Sequence, residues 1–302
     1  MIAVHHEQLG FRLQIGGPAL RRRAIRKSAN WLCVEELEPR LTLTGSIRAA
    51  LADHVLSLTG SPGSDLVTIE QNGPVGNEPE LIEIRGMGGT KVNGGSKAIF
   101  PAEASTRLEL NLGSGNNAVQ IGSGPGASLI LDGLIAIMGN GNDLLAIIHC
   151  TLNGPVTVST GAGTDRVTIE KCEFMNTVTY VLGAGNDVLS IDDSKYCGFT
   201  TVDLGAGNDK LLVETRRELH GQSEYDGYAI RCGKGNDLIR VGIQDDPGRR
   251  ITVDGPINVD GGPGTDSIQA ATNNAFNQSY RDRVISNFER LPWFIVASQF
   301  AE

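Results

Sequence analysis

Along most of the chain, apolar and polar positions alternate with a period of two. The runs are Leu145/Ile147, Val156/Val158, Val167/Ile169, Val178/Tyr180/Leu182, Leu189/Ile191, Val202/Leu204, Leu211/Val213, Tyr228/Ile230/Cys232, Ile239/Val241 and Ile257/Val259. A period of two places alternate side chains on one face of a strand, so each run predicts a strand with one buried side. The runs come in pairs, and a third short apolar stretch, Cys150-Thr-Leu152 or Cys172-Glu-Phe174, predicts a third side to each unit.

One turn separates the two strands of every pair. It reads Gly60-Ser-Pro-Gly-Ser-Asp65, Gly113-Ser-Gly-Asn-Asn117, Gly139-Asn-Gly-Asn-Asp143, Gly161-Ala-Gly-Thr-Asp165, Gly183-Ala-Gly-Asn-Asp187, Gly205-Ala-Gly-Asn-Asp209, Gly233-Lys-Gly-Asn-Asp237 and Gly261-Gly-Pro-Gly-Thr-Asp266. From Asp143 to Asp209 the repeat is 22 residues, and the last two intervals stretch to 28 and 29, which marks insertions in loops. A unit this small cannot bury its apolar face alone. Stacked at the ~4.8 Å strand spacing, successive units enclose one continuous core. The expected fold is therefore all-β, a parallel β-helix or β-roll solenoid with ~22-residue rungs filling residues 46–302, its C-terminal cap at about 281–302.

The glycines have a backbone reason, because a tight corner between strands needs positive φ. The aspartates pose a separate problem. Stacking sets them in a column of like charges a few ångströms apart, which requires either intervening cations or carboxylates that each cap backbone N–H groups. A hard divalent ion suits the first solution, since Ca²⁺ takes 6–8 oxygens from carboxylates and carbonyls.

These turns resemble the calcium-binding nonapeptide of the repeats-in-toxin (haemolysin-type) family, Gly-Gly-x-Gly-x-Asp-x-apolar-x. Gly261-Gly-Pro-Gly-Thr-Asp-Ser-Ile-Gln269 matches in full; the other turns depart at the first or second position, which carries Met138, Thr160, Leu182, Leu204 and Cys232 in place of glycine in five of them. The chain has one such turn per 22 residues, where the family repeats it every nine. The resemblance implies Ca²⁺ between stacked turns, with Asp65, Asp143, Asp165, Asp187, Asp209, Asp237 and Asp266 as ligands; Asn117 lacks the charge.

Composition agrees with many short strands: 39 Gly, 5% aromatics and 40% hydrophobic residues. No stretch approaches the roughly 20 apolar residues that span a bilayer. The net charge of -9 is uneven. Residues 1–40 hold seven Lys/Arg against four Glu, leaving a strongly acidic body. That body argues against nucleic acid, whose binding rests on phosphate neutralisation, and favours cations or basic surfaces. The five cysteines make no Cys-x-x-Cys zinc pattern, and Cys150 and Cys172 stand one unit apart, on adjacent rungs.

Residues 1–45 read as a basic targeting segment outside the folded core, without the apolar run of a secretory signal. Within it, Val34-Glu-Glu-Leu-Glu-Pro-Arg-Leu-Thr-Leu43 resembles the LEPR-XLL motif of bacterial surface and secreted proteins, matching at Leu37-Glu38-Pro39-Arg40 and departing at Thr42. The resemblance implies an exported or cell-surface protein, with polysaccharide or cell-surface components as partners. At the other end, Arg281-Asp-Arg-Val-Ile-Ser-Asn-Phe-Glu289 with Trp293, Phe294 and Phe300 predicts the cap.

Two further sites are legible. Glu170, Asp192 and Glu214 form a second acidic column, with Asp193 beside it, and read as a solvated edge, a second cation row or a carbohydrate groove. A catalytic role of the kind parallel β-helix polysaccharide lyases perform would fall to Asp192, Asp193, Lys195, Arg216, Arg217 and His220, yet no catalytic spacing links them. The sequence thus favours a non-enzymatic structural or adhesive module over a carbohydrate-active enzyme, with an ion-free structural solenoid as the third reading.

Overall fold

A computed structural model of the chain describes residues 45–72, 80–102, 106–123, 128–214, 227–242, 252–253, 256–270, 275–276 and 283–289. They form a β-solenoid with no helix among them. The strand that approaches each glycine turn (Arg107–Asn111, Gly133–Ile137, Val156–Ala162, Val178–Ala184, Thr200–Asp203, Tyr228–Arg231, Ile257–Asp260) pairs in parallel with its counterpart one rung away. The strand that leaves the turn (Ala118–Ile121, Leu144–Ile148, Arg166–Glu170, Val188–Asp192, Lys210–Glu214, Leu238–Val241, Ser267–Ala270) does the same. The third side is the short sheet of Leu129–Leu131, Cys150–Leu152, Glu173–Phe174 and Lys195–Tyr196.

Register is strict. Val167 pairs with Leu145 and Leu189, and Val158 with Ala136 and Tyr180, so each inward position stacks on its equivalent and the tube fills with buried Val, Leu and Ile ladders. Each such side chain contributes roughly 1.5–3 kcal/mol on burial. In the middle rungs the core turns aromatic. Phe174 stacks on Tyr196 with centroids 4.6 Å apart, and the Tyr180 and Tyr196 hydroxyls meet at 2.9 Å, which lets two buried phenols share one hydrogen bond.

The N-terminal end departs from the parallel plan. Ser46–Ala52 runs antiparallel to Val55–Thr59 through a two-residue turn in which Asp53 and His54 both have positive φ (49° and 62°). Leu81–Gly86 adds antiparallel to Leu66–Asn72, and Lys97–Pro101 adds antiparallel to Leu81–Gly86. These additions bury Ile47, Ala49, Ile82, Ile84 and Val92 over the first rung. Asn93 joins them by imitating a backbone ladder, with Oδ1 accepting from the Ala49 N–H at 2.9 Å and Nδ2 donating to the Ala49 carbonyl at 2.8 Å. The first strand among the described residues is Ser46–Ala52.

At the other end Arg283–Ser286 pairs with Ile257–Asp260, and Ile285 and Phe288 pack on the core. Trp293, Phe294, Phe300 and the LEPR-like segment lie outside the described residues.

Candidate cation site in the turn column

The glycine turns stack so closely that a side chain on them has no room. A Cβ on Gly185 would lie 1.6 Å from the Gly163 carbonyl oxygen, and φ there is +143°, so both sterics and backbone conformation demand glycine. The residue between the two glycines carries the stitching: Ala206 N–H donates to the Gly183 carbonyl at 2.7 Å, and the Ala206 carbonyl accepts from Gly185 N–H at 2.7 Å.

This stacking points the turn aspartates inward. Asp65, Asp143, Asp165, Asp187, Asp209, Asp237 and Asp266 are all buried, between 0% and 3% exposed, and Asn117 completes the column at 1%. From Asn117 onward, each Oδ1 accepts the backbone N–H of the column residue one rung earlier. The bonds run from Asp65 to Asn117 (2.9 Å), Asn117 to Asp143, Asp143 to Asp165, Asp165 to Asp187, Asp187 to Asp209, Asp209 to Asp237 (each 2.7 Å) and Asp237 to Asp266 (2.8 Å). Glu289 of the closing segment ends the series, its Oε2 accepting Asp266 N–H at 2.5 Å. Carboxylates capping backbone N–H groups were one of the two solutions that the charge column required, and this one is present.

A second ladder on the exposed side runs the opposite way. Asn142 N–H donates to Oδ1 of Asn116, Thr164 to Asn142, Asn208 to Asn186, Asn236 to Asn208 and Thr265 to Asn236, all at 2.7–2.8 Å. The alternation Asn/Thr then Asp at the end of each turn thus ties adjacent rungs by side chains in both directions.

The Asp ladder satisfies only half of each carboxylate. Oδ2 of Asp143, Asp165, Asp187, Asp209, Asp237 and Asp266, and Oδ1 of Asp65, are buried with no hydrogen-bond partner among the described residues. Asn117 reveals what that second atom faces: its Nδ2 donates to the Gly115 carbonyl of its own turn (3.2 Å) and to the Met138 carbonyl of the next rung (3.1 Å). In the aspartate rungs a carboxylate oxygen takes the place of this donor; for Asp187 the positions equivalent to Gly115 and Met138 are Gly185 and Leu204.

The balance of energies goes against a bare charged column. Adjacent unit charges about 4.8 Å apart repel by about 3.5 kcal/mol at an effective dielectric of about 20. One charged hydrogen bond returns about 1.5–3 kcal/mol. A fully ionised column is therefore not self-sustaining. Consistently, burial pushes the carboxyls of Asp143, Asp187 and Asp237 up to about 6 and that of Asp209 up to about 7, against the lowering by the backbone N–H bonds. Asp65, Asp165 and Asp266 are raised for the same reason. Either a proton or a cation on Oδ2 relieves the pocket.

Among the described residues no group of three His, Cys, Asp or Glu side chains converges on one point. A cation here would be held by one carboxylate oxygen and backbone carbonyls per junction, a donor set of hard oxygens suited to Ca²⁺.

The remaining candidates are laid out as the repeat predicts. Glu170, Asp192 and Glu214 stand in register at the far corner, where Lys171 pairs with Glu170 at 3.3 Å. Of the catalytic grouping, Asp192, Asp193 and Lys195 share that corner region, whereas Arg216, Arg217 and His220 lie outside the described residues. Cys150 and Cys172 are buried free thiols on adjacent rungs, each bonded to the carbonyl two residues before it (Cys150 to Ile148, Cys172 to Glu170). Comparison with protein-family models, with curated proteins and with solved structures finds no match to this chain.

Two contributors escape a sequence reading. Thr160 stands where other rungs have Met138, Leu182 or Leu204, and its buried hydroxyl donates to the Leu182 carbonyl at 2.7 Å, next to Asp165. Glu289 acts as the final column residue. A threonine at an inward position of an otherwise apolar ladder was the signal for the first; the 23-residue interval from Asp266, one residue off the 22-residue rung, was the signal for the second.

Proposed function

We propose that this chain is a non-enzymatic, exported or cell-surface solenoid that takes up Ca²⁺ between its stacked turns and serves a structural or adhesive role toward polysaccharide or other surface components. The carrying observation is the row of buried carboxylate oxygens, each without a hydrogen-bond partner among the described residues, in the column where the Asn117 amide donates to two carbonyls. The resemblance of the turn to the haemolysin-type nonapeptide favours calcium among the hard cations. Ligand sets poor in carboxylates fit weak sites, in the ~10⁻⁴–10⁻³ M range of extracellular modules. Calcium titration followed by circular dichroism and thermal melting tests this. The expected result is a rise in melting temperature that saturates at millimolar Ca²⁺ and is reversed by EDTA; an unchanged melt across that range overturns it.

A second reading, an ion-free structural solenoid, is favoured by the completeness of the Oδ1 ladder. It calls for protons on Oδ2, and shows itself as a melting temperature that responds to pH and not to Ca²⁺.

A further inference from the structure

The turn column contains one residue that differs in kind. Asn117 uses its Oδ1 as the aspartates do, accepting Asp65 N–H, and adds two donated bonds from Nδ2 into the carbonyl pair at the junction with the next rung. At the junctions C-terminal to it a buried carboxylate oxygen stands in the amide's place, and at the Asp165 junction the Thr160 hydroxyl donates to the Leu182 carbonyl.

We infer that Asn117 is a built-in substitute for the cation: its amide closes the junction between the Gly113 and Gly139 turns without any ion, whereas Asp65 before it and the aspartates from Asp143 onward each keep an unpartnered carboxylate oxygen. What fills those other junctions rests on the proposed cation reading; the sealing by the amide does not. The consequence is a graded molecule. The junction that Asn117 closes holds without cation and offers a template for the rungs after it. Solenoid stability is a sum of rungs and nearest-neighbour junctions, so a junction that is closed at all times fixes where ordering starts.

Two substitutions in the full chain test this, Asn117→Asp and Asp187→Asn, each read by melting in EDTA and by bound Ca²⁺ per chain in equilibrium dialysis. Asp187→Asn retains the Oδ1 acceptor and places Nδ2 against the Gly185 and Leu204 carbonyls. It is expected to raise the EDTA melting temperature by about 3 °C and to lower bound Ca²⁺ by one. Asn117→Asp is expected to lower the EDTA melting temperature by a similar amount and to add one Ca²⁺. If Asp187→Asn leaves the EDTA melt unchanged or lowers it, or Asn117→Asp fails to lower it, the substitution role of Asn117 is wrong. If the wild type binds no Ca²⁺ while both EDTA shifts keep these signs, the amide seal stands and the calcium reading falls.

Discussion

At the scale of single residues, the turn divides its positions among three physical constraints. Glycine is required where neighbouring backbones leave no room, aspartate where a buried N–H needs an acceptor, and Asn where an exposed one does. Gly185→Ala brings a Cβ to within 1.6 Å of the Gly163 oxygen at a φ of +143°, and should cost roughly 2–4 kcal/mol in denaturant melts, far above the effect of Ala184→Ser at the exposed position beside it. The buried phenols make a second case. Tyr196→Phe removes the partner of the Tyr180 hydroxyl in a dry core and should cost about 1–3 kcal/mol, while Tyr180→Phe/Tyr196→Phe should cost less than the two single changes together, as a double-mutant cycle would show.

At the scale of elements, register and end-capping carry the fold. Asp165 to Asp187 spans one 22-residue rung. Deleting residues 166–187 preserves the pairing face of every strand and should give a folded, somewhat less stable solenoid; deleting 166–186 leaves one extra residue between Asp165 and the strand that follows, and should melt lower than the 22-residue deletion by circular dichroism. The last rung depends on a borrowed acceptor, since Glu289 bonds Asp266 N–H and its own N–H reaches the Asp266 carbonyl at 3.3 Å. Glu289→Ala should speed amide exchange in Ile257–Asp260 and Ser267–Ala270 while leaving Val167 and Leu189 protected, because opening spreads from an end.

At the scale of the whole molecule, the buried column links stability to pH in an uncommon direction. Folded-state values of about 6–7 for Asp143, Asp187, Asp209 and Asp237 stand above the ordinary 3.8, so the native chain holds protons that the unfolded chain releases. This contribution is complete below about pH 4 and is lost as pH rises through 6–7. In EDTA the melting temperature should therefore fall between pH 5 and pH 8, and the stabilisation by added Ca²⁺ should grow over the same interval as ion replaces proton. Melts at fixed ionic strength check both signs; a cation-free chain that melts higher at pH 8 than at pH 5 contradicts the column's energetics.

The period of two, the glycine turns and the 22-residue spacing by themselves determined the parallel solenoid, its three sides and the stacking of the aspartates, because in a repeat each local pattern is also its own tertiary neighbour. Three things were decided only in the tertiary structure. The antiparallel cap at Ser46–Ala52, Leu81–Gly86 and Lys97–Pro101 lies where the repeat is absent, and Asp53 and His54 give little turn signal. The division of each carboxylate into a satisfied Oδ1 and an orphaned Oδ2 depends on the direction in which neighbouring N–H groups point, which spacing does not encode. And the role of Asn117 is visible in sequence merely as a missing charge; its two donated bonds exist because the adjoining rung sets the Met138 carbonyl opposite its amide.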